Sequence, residues 1–339
     1  MPASQSVPLA APPCRRRSGR LPALVAAVAA VVLASAGCGA SAGGAGTTAA
    51  SGTASASSAE GFPVDVKHEL GTTTIKTRPA RVVAVSDGGE LASLLALGIK
   101  PVGFGQRNDP LKPWIQANGG AELPAYKLVG TEVSFERMAA WKPDLLLVQN
   151  GFATKDNLAR YNAIAPTVVT SFIDWRENLR QVSEATGTTA RAAELVAANT
   201  AAVEKARAAL TGRKGLKVQA ISVFDGPTIY RLNDASPLGK VAADVGLAPF
   251  PAQQTAGEAV EEISLERLPE IDADVLLVQV FDEGDAPYKA LSQRDIWKRI
   301  PAVKAGKVVV LTEDESAASY FDSVLTVPLN LTLLQDRLK

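Results

Sequence analysis

The chain has 339 residues, with 35 basic and 35 acidic side chains, one histidine and two cysteines. Balanced charge leaves no electrostatic footprint for nucleic acid, and an apolar content of 47% excludes a disordered chain over most of the length. A single histidine excludes a His-rich metal site and weakens every Ser-His-Asp reading, since no nucleophile elbow accompanies it.

The N-terminus reads as an address. Residues 15–20 (Arg-Arg-Arg-Ser-Gly-Arg) form a basic region, Leu21–Leu33 an apolar one, and Ala34-Ser35-Ala36-Gly37 supplies small residues before Cys38. This is secretory-signal grammar, too short and Ala-rich for a transmembrane span. The four residues ending at Cys38 resemble a bacterial lipobox, in which the cysteine is lipidated and becomes the new N-terminus; Ser35 departs from the usual Leu or Val. Ordinary signal cleavage or an unprocessed anchor is the alternative. Arg16-Arg17 lacks the apolar residues that twin-arginine export expects just after it, so Sec export is expected. Without the four arginines of residues 1–38 the remainder carries 31 basic and 35 acidic side chains, a net charge near −4. Cys14 falls in the segment removed, so the mature chain has no disulfide and burial alone must hold its core. Residues 39–61, almost entirely Ala, Gly, Ser and Thr, predict a flexible tether.

From Phe62 onward β-rich runs alternate with helical patterns. Strands are predicted at Arg81–Val85, Pro101–Phe104, Asp144–Gln149 and Thr167–Thr170, with helices at Gly89–Leu97 and Asp156–Ile164. Asp144–Gln149 is a continuous Leu/Val run of the buried parallel type. The rhythm argues for a parallel sheet with helices on both faces. Thr188–Leu210 runs twenty-three residues without Pro or Gly, a helix of about 34 Å. Strands follow at Leu216–Phe224, Ile229–Leu232, Asp274–Val280 and Lys307–Leu311, with a helix near Leu238–Val245. Ser323–Lys339 is predicted helical with a kink at Pro328.

A repeat joins the two halves. Ser134-Phe-Glu-Arg-Met-Ala-Ala-Trp-Lys-Pro-Asp-Leu-Leu-Leu-Val-Gln149 aligns without a gap on Ser264-Leu-Glu-Arg-Leu-Pro-Glu-Ile-Asp-Ala-Asp-Val-Leu-Leu-Val-Gln279, at a spacing of 130 residues and with eight of sixteen positions identical. A helix-then-strand unit at the same place in each half predicts two similar lobes. Helix capping and packing account for Ser and Leu, but less completely for the paired Glu136 and Glu266.

With these features the sequence resembles a class III substrate-binding protein of an ABC importer, the iron-siderophore, haem and cobalamin group. The resemblance spans roughly residues 64–338. Val66–Val85 is similar to the opening "H-x-x-G…I…P-x-R-V-V" segment of the group, and Leu94–Gly103 and Trp141-Lys-Pro-Asp144 are also alike. It implies an α/β fold of two lobes with mainly parallel sheets, bridged by one long helix, with the ligand in the cleft between them. The segments would be a lipoprotein signal at 1–38, a tether at 39–61, an N-terminal lobe at 62–187, a connecting helix at 188–212 and a C-terminal lobe at 213–339. In this family an exposed Glu on each lobe docks on the permease, and these positions fall on Glu136 and Glu266. The resemblance also implies a monomer lipid-anchored through Cys38 to the outer, extracytoplasmic face of the bacterial cell membrane.

In open α/β sheets ligands lie beyond the carboxyl ends of the strands. That places Ser86, Asp87, Arg107, Asn150, Tyr230, Arg231, Phe281 and Glu315 at the cleft as candidates. An Arg at 107 can pair with an anionic ferric chelate, while Tyr230 or Phe281 covers its organic shell. A solvated loop charge is the plain alternative for Arg107, and a strand position between apolar neighbours that for Arg231. Trp175 reads as core packing and His68 as a surface or edge residue. Gly103-Phe-Gly105 lacks the spacing of a dinucleotide fingerprint and no Walker lysine pattern occurs. The expected function is capture of a ferric siderophore for a membrane permease, with no permanently bound cofactor and no direct metal ligands. Haem or cobalamin binding, a surface sensor and a secreted α/β enzyme are the alternatives. An aromatic content of 5% argues against haem and cobalamin, whose sites in this group tend to be aromatic-rich or to offer an axial ligand.

Overall fold

The computed structural model describes residues 61–224, 229–255, 258–281 and 286–339. The signal-like segment and Cys38 lie outside them. The first elements form an antiparallel hairpin, β1 (Val64–His68) and β2 (Gly71–Ile75). His68 pairs with Gly71 at its turn, and the ring Nε2 shares a hydrogen bond of 3.0 Å with Thr73 Oγ1. Burial lowers the imidazole below its ordinary value.

The N-terminal sheet holds β3 (Val82–Ala84), β4 (Gly103–Gln106), β5 (Ala125–Lys127), β6 (Leu145–Gln149) and β7 (Thr167–Thr170), ordered β5-β4-β3-β6-β7 and parallel throughout. β3 and β6 are buried over their whole length, which is why they read as unbroken apolar runs rather than alternating ones. The C-terminal sheet repeats the order with β8 (Val218–Val223), β9 (Ile229–Leu232), β10 (Val260–Ile263), β11 (Val275–Val280) and β12 (Val308–Val310), as β10-β9-β8-β11-β12. Here β8, β11 and β12 are parallel, but β9 runs antiparallel to both of its neighbours. Only residues 224–228 join β8 to β9, far fewer than a parallel crossover needs, so the connection is a hairpin.

The sequence repeat maps onto this symmetry. Ser134 caps the helix Phe135–Ala140, its Oγ accepting from Arg137 N at 3.3 Å, and β6 follows. Ser264 opens a 3-10 turn, Leu265–Glu270, and β11 follows. Pro269, which has no N–H to donate, sits inside this second copy. β6 pairs with β3 as β11 pairs with β8, so the two copies occupy the same place in two like lobes.

Between the sheets runs the helix Thr189–Ala209, which buries Ala192, Asn199, Val203 and Ala206 and leaves most of its remaining surface to solvent. Asn199 Nδ2 donates to Val324 O at 3.0 Å, and the final helix, Val327–Arg337, packs against it. One apolar core takes residues from both sheets around this helix pair, and a smaller core backs each sheet on its other face. The expected kink at Pro328 does not occur. Pro328 lies in the first turn of Val327–Arg337, where no intrahelical N–H is needed, so it starts the helix instead of bending it. Residues before it form a turn in which Thr326 Oγ1 donates to Phe321 O at 2.9 Å. Among the described residues no helix is long and apolar enough to cross a membrane.

The two glycines of Gly103-Phe-Gly105 are explained by packing. A Cβ at Gly103 would lie 2.4 Å from the Trp141 ring, and one at Gly105 would lie 2.2 Å from Val85 O, just past the end of the neighbouring β3. Gly105→Ala is therefore expected to lower stability by about 1–3 kcal/mol in urea unfolding, because backbone just past the adjacent strand has to move. An unchanged unfolding midpoint would refute this reading of β4.

Candidate functional site: an aromatic cleft between the lobes

The register of β8 and β11 sets Val223 opposite Val280, so the next residues, Phe224 and Phe281, leave the sheet side by side. Their rings stack at 5.0 Å with an interplanar angle of 6°. β9 adds Tyr230 edge-on to Phe224 at 5.7 Å. The helix Glu313–Tyr320 ends against the same pair, with Tyr320 edge-on to Phe281 at 5.5 Å. Phe321 continues the row at 5.5 Å from Tyr320, and Trp114 of the N-terminal lobe closes it at 6.4 Å from Phe321. Six rings thus run across the gap between the lobes. The five contributed by the C-terminal lobe stay half-buried, so the wall keeps apolar surface to offer a ligand.

The N-terminal lobe supplies the polar side. Asp87, after β3, accepts on Oδ2 from Arg107 N at 3.1 Å, Asn108 N at 2.8 Å and Asn108 Nδ2 at 3.0 Å. These bonds pin the loop after β4 and so aim Arg107. Burial pushes Asp87 above its ordinary pKa, against the pull of the Asn108 donors and the Arg107 charge. The Arg107 guanidinium lies over the Phe152 ring, 4.9 Å from its centroid, and its buried Nε has no hydrogen-bond partner. No carboxylate forms an ion pair with it among the described residues. Its charge reaches Tyr320 on the opposite wall, where it pulls the phenol down while burial pushes it up. Lys112 Nζ stands 5.8 Å from the Phe321 centroid.

The floor ties the lobes together. Asp322 accepts on Oδ2 from Trp175 N and Lys240 Nζ, both at 3.2 Å, and Lys240 Nζ also donates to Ile173 O. Burial pushes the Asp322 carboxyl up to about 6, with Lys240 opposing the shift. Phe172, 38% exposed, lines the hollow above this tie with Tyr320, Glu258 and Asp322. Asp87, Lys112 and Trp114 line the hollow next to it, again with Phe172 and Asp322.

Of the residues singled out from sequence, Asp87, Arg107, Tyr230 and Phe281 come together here. The other four are engaged elsewhere. Ser86 donates through N and Oγ to Glu90 Oε1 at 3.0 and 2.7 Å, beneath the loop. Asn150 Nδ2 donates to Glu69 Oε2 and ties the loop after β6 to the first hairpin. Arg231 points to the face opposite Tyr230, as strand alternation requires, and pairs with Glu261, its cross-strand partner, which Arg267 also approaches at 3.5 Å. Glu315 completes a capping box with Thr312 and accepts from Arg337 at 3.0 and 2.9 Å. Burial raises Glu315, but those donors outweigh it and the net shift is downward. Sequence reasoning missed Phe224, Tyr320, Phe321, Trp114 and Lys112. The adjacent Tyr320-Phe321 pair was the available signal in a chain with few aromatics, but it ends a helix, where a rule about strand ends does not look.

Glu136 and Glu266 are both exposed, and neither has a hydrogen-bond or ion-pair partner among the described residues. Among those residues no group of three or more His, Cys, Asp or Glu is placed to hold a metal ion.

Comparison with known proteins agrees with this arrangement. The chain is 28% identical over 259 residues to the "Probable siderophore-binding lipoprotein YfiY" of Bacillus subtilis, covering 71% of this chain and 78% of that one. It is 27% identical over 253 residues to the iron(3+)-hydroxamate-binding protein FhuD of the same organism, covering 71% and 76%. Staphylococcus aureus SirA, solved in complex with staphyloferrin B, superposes with a TM-score of 0.70 at 20% identity, over 81% of this chain and 98% of that one. The family model described as periplasmic binding protein matches residues 83–315. With most of its length matched, and with two like lobes facing each other across a cleft, the chain belongs to the periplasmic binding protein family.

Proposed function

We propose that the chain captures a ferric siderophore outside the cytoplasm and delivers it to the permease of an ABC importer. The observation that carries this reading is the row of aromatic rings facing the unpaired Arg107 across the cleft. A chelate already supplies the iron's ligands, so the protein needs a surface for the organic shell and a donor for the chelating oxygens. Rings and an arginine meet those needs; the six gathered rings remove the low overall aromatic content as an argument against haem or cobalamin, so the preference for a chelate rests on the unpaired Arg107. The names of the relatives, a siderophore-binding lipoprotein and a hydroxamate-binding protein, support the same reading. As a member of a binding-protein family the chain is not an enzyme.

Tryptophan fluorescence of the purified protein, titrated with ferric siderophores, haem and cobalamin, tests the proposal. Trp114 ends the aromatic row and reports what lies on it. Saturable quenching by a ferric siderophore, and by neither haem nor cobalamin, is expected. Saturation by haem or cobalamin alone would transfer the assignment to that ligand.

In this proposal Cys38 carries the lipid anchor, the chain works as a monomer, and Glu136 and Glu266 face the permease. The two carboxylates are exposed and lie in equivalent units of the two lobes. Each exposed charge pair contributes about 0.2–1 kcal/mol, suited to reversible docking. Glu136→Ala combined with Glu266→Ala is expected to impair siderophore uptake by cells while chelate affinity in titration stays nearly unchanged. Normal uptake by the double variant would remove the docking role.

A further inference from the structure

The internal repeat sets two glutamines at the same place in the two lobes, and their amides are used differently. Gln149 ends β6, and Gln279 holds the matching position in β11. In the C-terminal lobe the amide is committed. Gln279 is fully buried, its Oε1 accepts from Ser222 Oγ across the β8–β11 pair, and its Nε2 donates to Ser319 Oγ at 2.7 Å. In the N-terminal lobe the register of β3 against β6, carried two residues past Ala84, sets Ser86 opposite Gln149 as Ser222 stands opposite Gln279. Ser86 Oγ, however, donates to Glu90 Oε1 at 2.7 Å. The Gln149 side chain is therefore left with no hydrogen-bond partner among the described residues, although the residue is only 8% exposed.

A side-chain amide brings two N–H donors and an acceptor oxygen, and burying it without partners is unfavourable. The backbone nevertheless makes room for this one. A Cβ at Gly88 would lie 2.1 Å from Gln149 Oε1, so the amide rests against a glycine of the loop that carries Asp87. It lines the hollow between the lobes together with Asp87, Asn108, Lys112, Trp114 and Phe172. The same turn supports Arg107. Phe152, whose ring lies under the Arg107 guanidinium, donates through its backbone N to Gln149 O at 3.1 Å. Gln149 and Arg107 thus stand at the carboxyl ends of β6 and β4, the two strands that flank β3. We infer that Gln149 is a ligand-contacting residue of the cleft, its amide N–H donating to a carbonyl or chelating oxygen of the bound chelate. The inference rests on the ferric-siderophore reading and adds a second donor beside Arg107. Of two equivalent glutamines, one serves the fold, and the turn of Ser86 towards Glu90 frees the other for the ligand. A polar group left unsatisfied against a local rule is what a binding site tolerates in the free protein.

The test compares Gln149→Met with Gln279→Met, each of which keeps the side-chain length and removes the amide. Both variants and the wild type are titrated with ferrichrome, ferric citrate and ferric bacillibactin, and unfolded in urea. For the chelate that the wild type binds, Gln149→Met is expected to lose about 3- to 10-fold in affinity, the value of one neutral hydrogen bond. Its urea midpoint should stay unchanged or rise, because no partner inside the protein is lost. Gln279→Met is expected to lower the midpoint, since Ser222 and Ser319 lose the amide they bond. Wild-type affinity in Gln149→Met would overturn the inference while leaving the siderophore reading intact. So would a like change of midpoint in the two variants, which would assign the Gln149 amide to the fold as well. If the wild type bound none of the three chelates but bound haem or cobalamin, the siderophore reading itself would fall, and the inference with it.

Discussion

Replacing Arg107 by Ala is expected to weaken ferric-chelate binding by about 1–3 kcal/mol, the cost of losing a hydrogen bond made by a charged donor in a partly desolvated site. Three features single out Arg107 as the donor of the N-terminal wall in the proposed site. Its guanidinium has no ion-pair partner among the described residues, so its donors are not already committed. Its position is fixed from both ends, by Asp87 accepting from its backbone N–H and by the Phe152 ring beneath its side chain. Its charge also acts on Tyr320 of the aromatic wall. A donor held in place before the ligand arrives gives up little entropy on binding. Arg107→Lys should recover only part of the loss, since an ammonium keeps the charge but not the planar fork that grips two oxygens at once. Fluorescence titration of both variants gives the answer. Wild-type affinity in Arg107→Ala for every siderophore tested would mean that the rings bind alone.

The second large effect concerns stability and pH. Glu90 opens the helix Gly89–Ala96 just behind the Asp87 loop and is fully buried. One carboxyl oxygen accepts from Ser86 N and Oγ, and the other has no partner. Burial raises its pKa from 4.5 to about 7, with the Ser86 donors opposing the shift and the neighbouring Asp87 charge adding to it. The sign follows from linkage. Because the folded-state pKa lies above the unfolded one, the native state holds the proton more tightly, and this contribution is full below pH 4.5. It fades as pH rises towards about 7, where the carboxyl ionises in its buried site. At about 1.4 kcal/mol per pKa unit the whole swing is of order 3 kcal/mol. Glu90→Gln keeps the acceptor that Ser86 uses and cannot ionise, so its stability should lack this pH dependence. Urea unfolding of both proteins at acidic and at slightly alkaline pH measures the difference. Relative to the variant, the wild type should lose about 3 kcal/mol across the range. Parallel pH profiles would show that water or a conformational change relieves the buried charge.

By itself the sequence determined the periodic and the local features of this protein. Apolar runs such as Leu145–Gln149 and Val218–Val223 announce buried parallel strands, because a strand covered on both faces has no polar side to alternate. The uninterrupted stretch that became Thr189–Ala209 announces a long helix, and the repeat of Ser134–Gln149 at Ser264–Gln279 announces two like lobes. The loops after β3, β4 and β11 were legible in the same local way, which put Asp87, Arg107 and Phe281 forward; Tyr230 reaches the wall from the start of β9, because that strand runs antiparallel. Tertiary structure alone decided the rest. Whether Arg231 reached the ligand or Glu261 depended on β10 lying antiparallel beside β9, a pairing made across a connection that includes the helix Pro237–Asp244. Whether Glu315 faced the cleft or Arg337 depended on where the last helix returned. The aromatic wall was assembled from the ends of β8 and β11, from β9, from a helix end and from Trp114 of the other lobe, far apart in the chain, and only their packing brings each ring within 6.4 Å of the next. Periodicity records which side of its own element a residue occupies. Which other element covers that side is set by long-range contacts, and those contacts made the cleft.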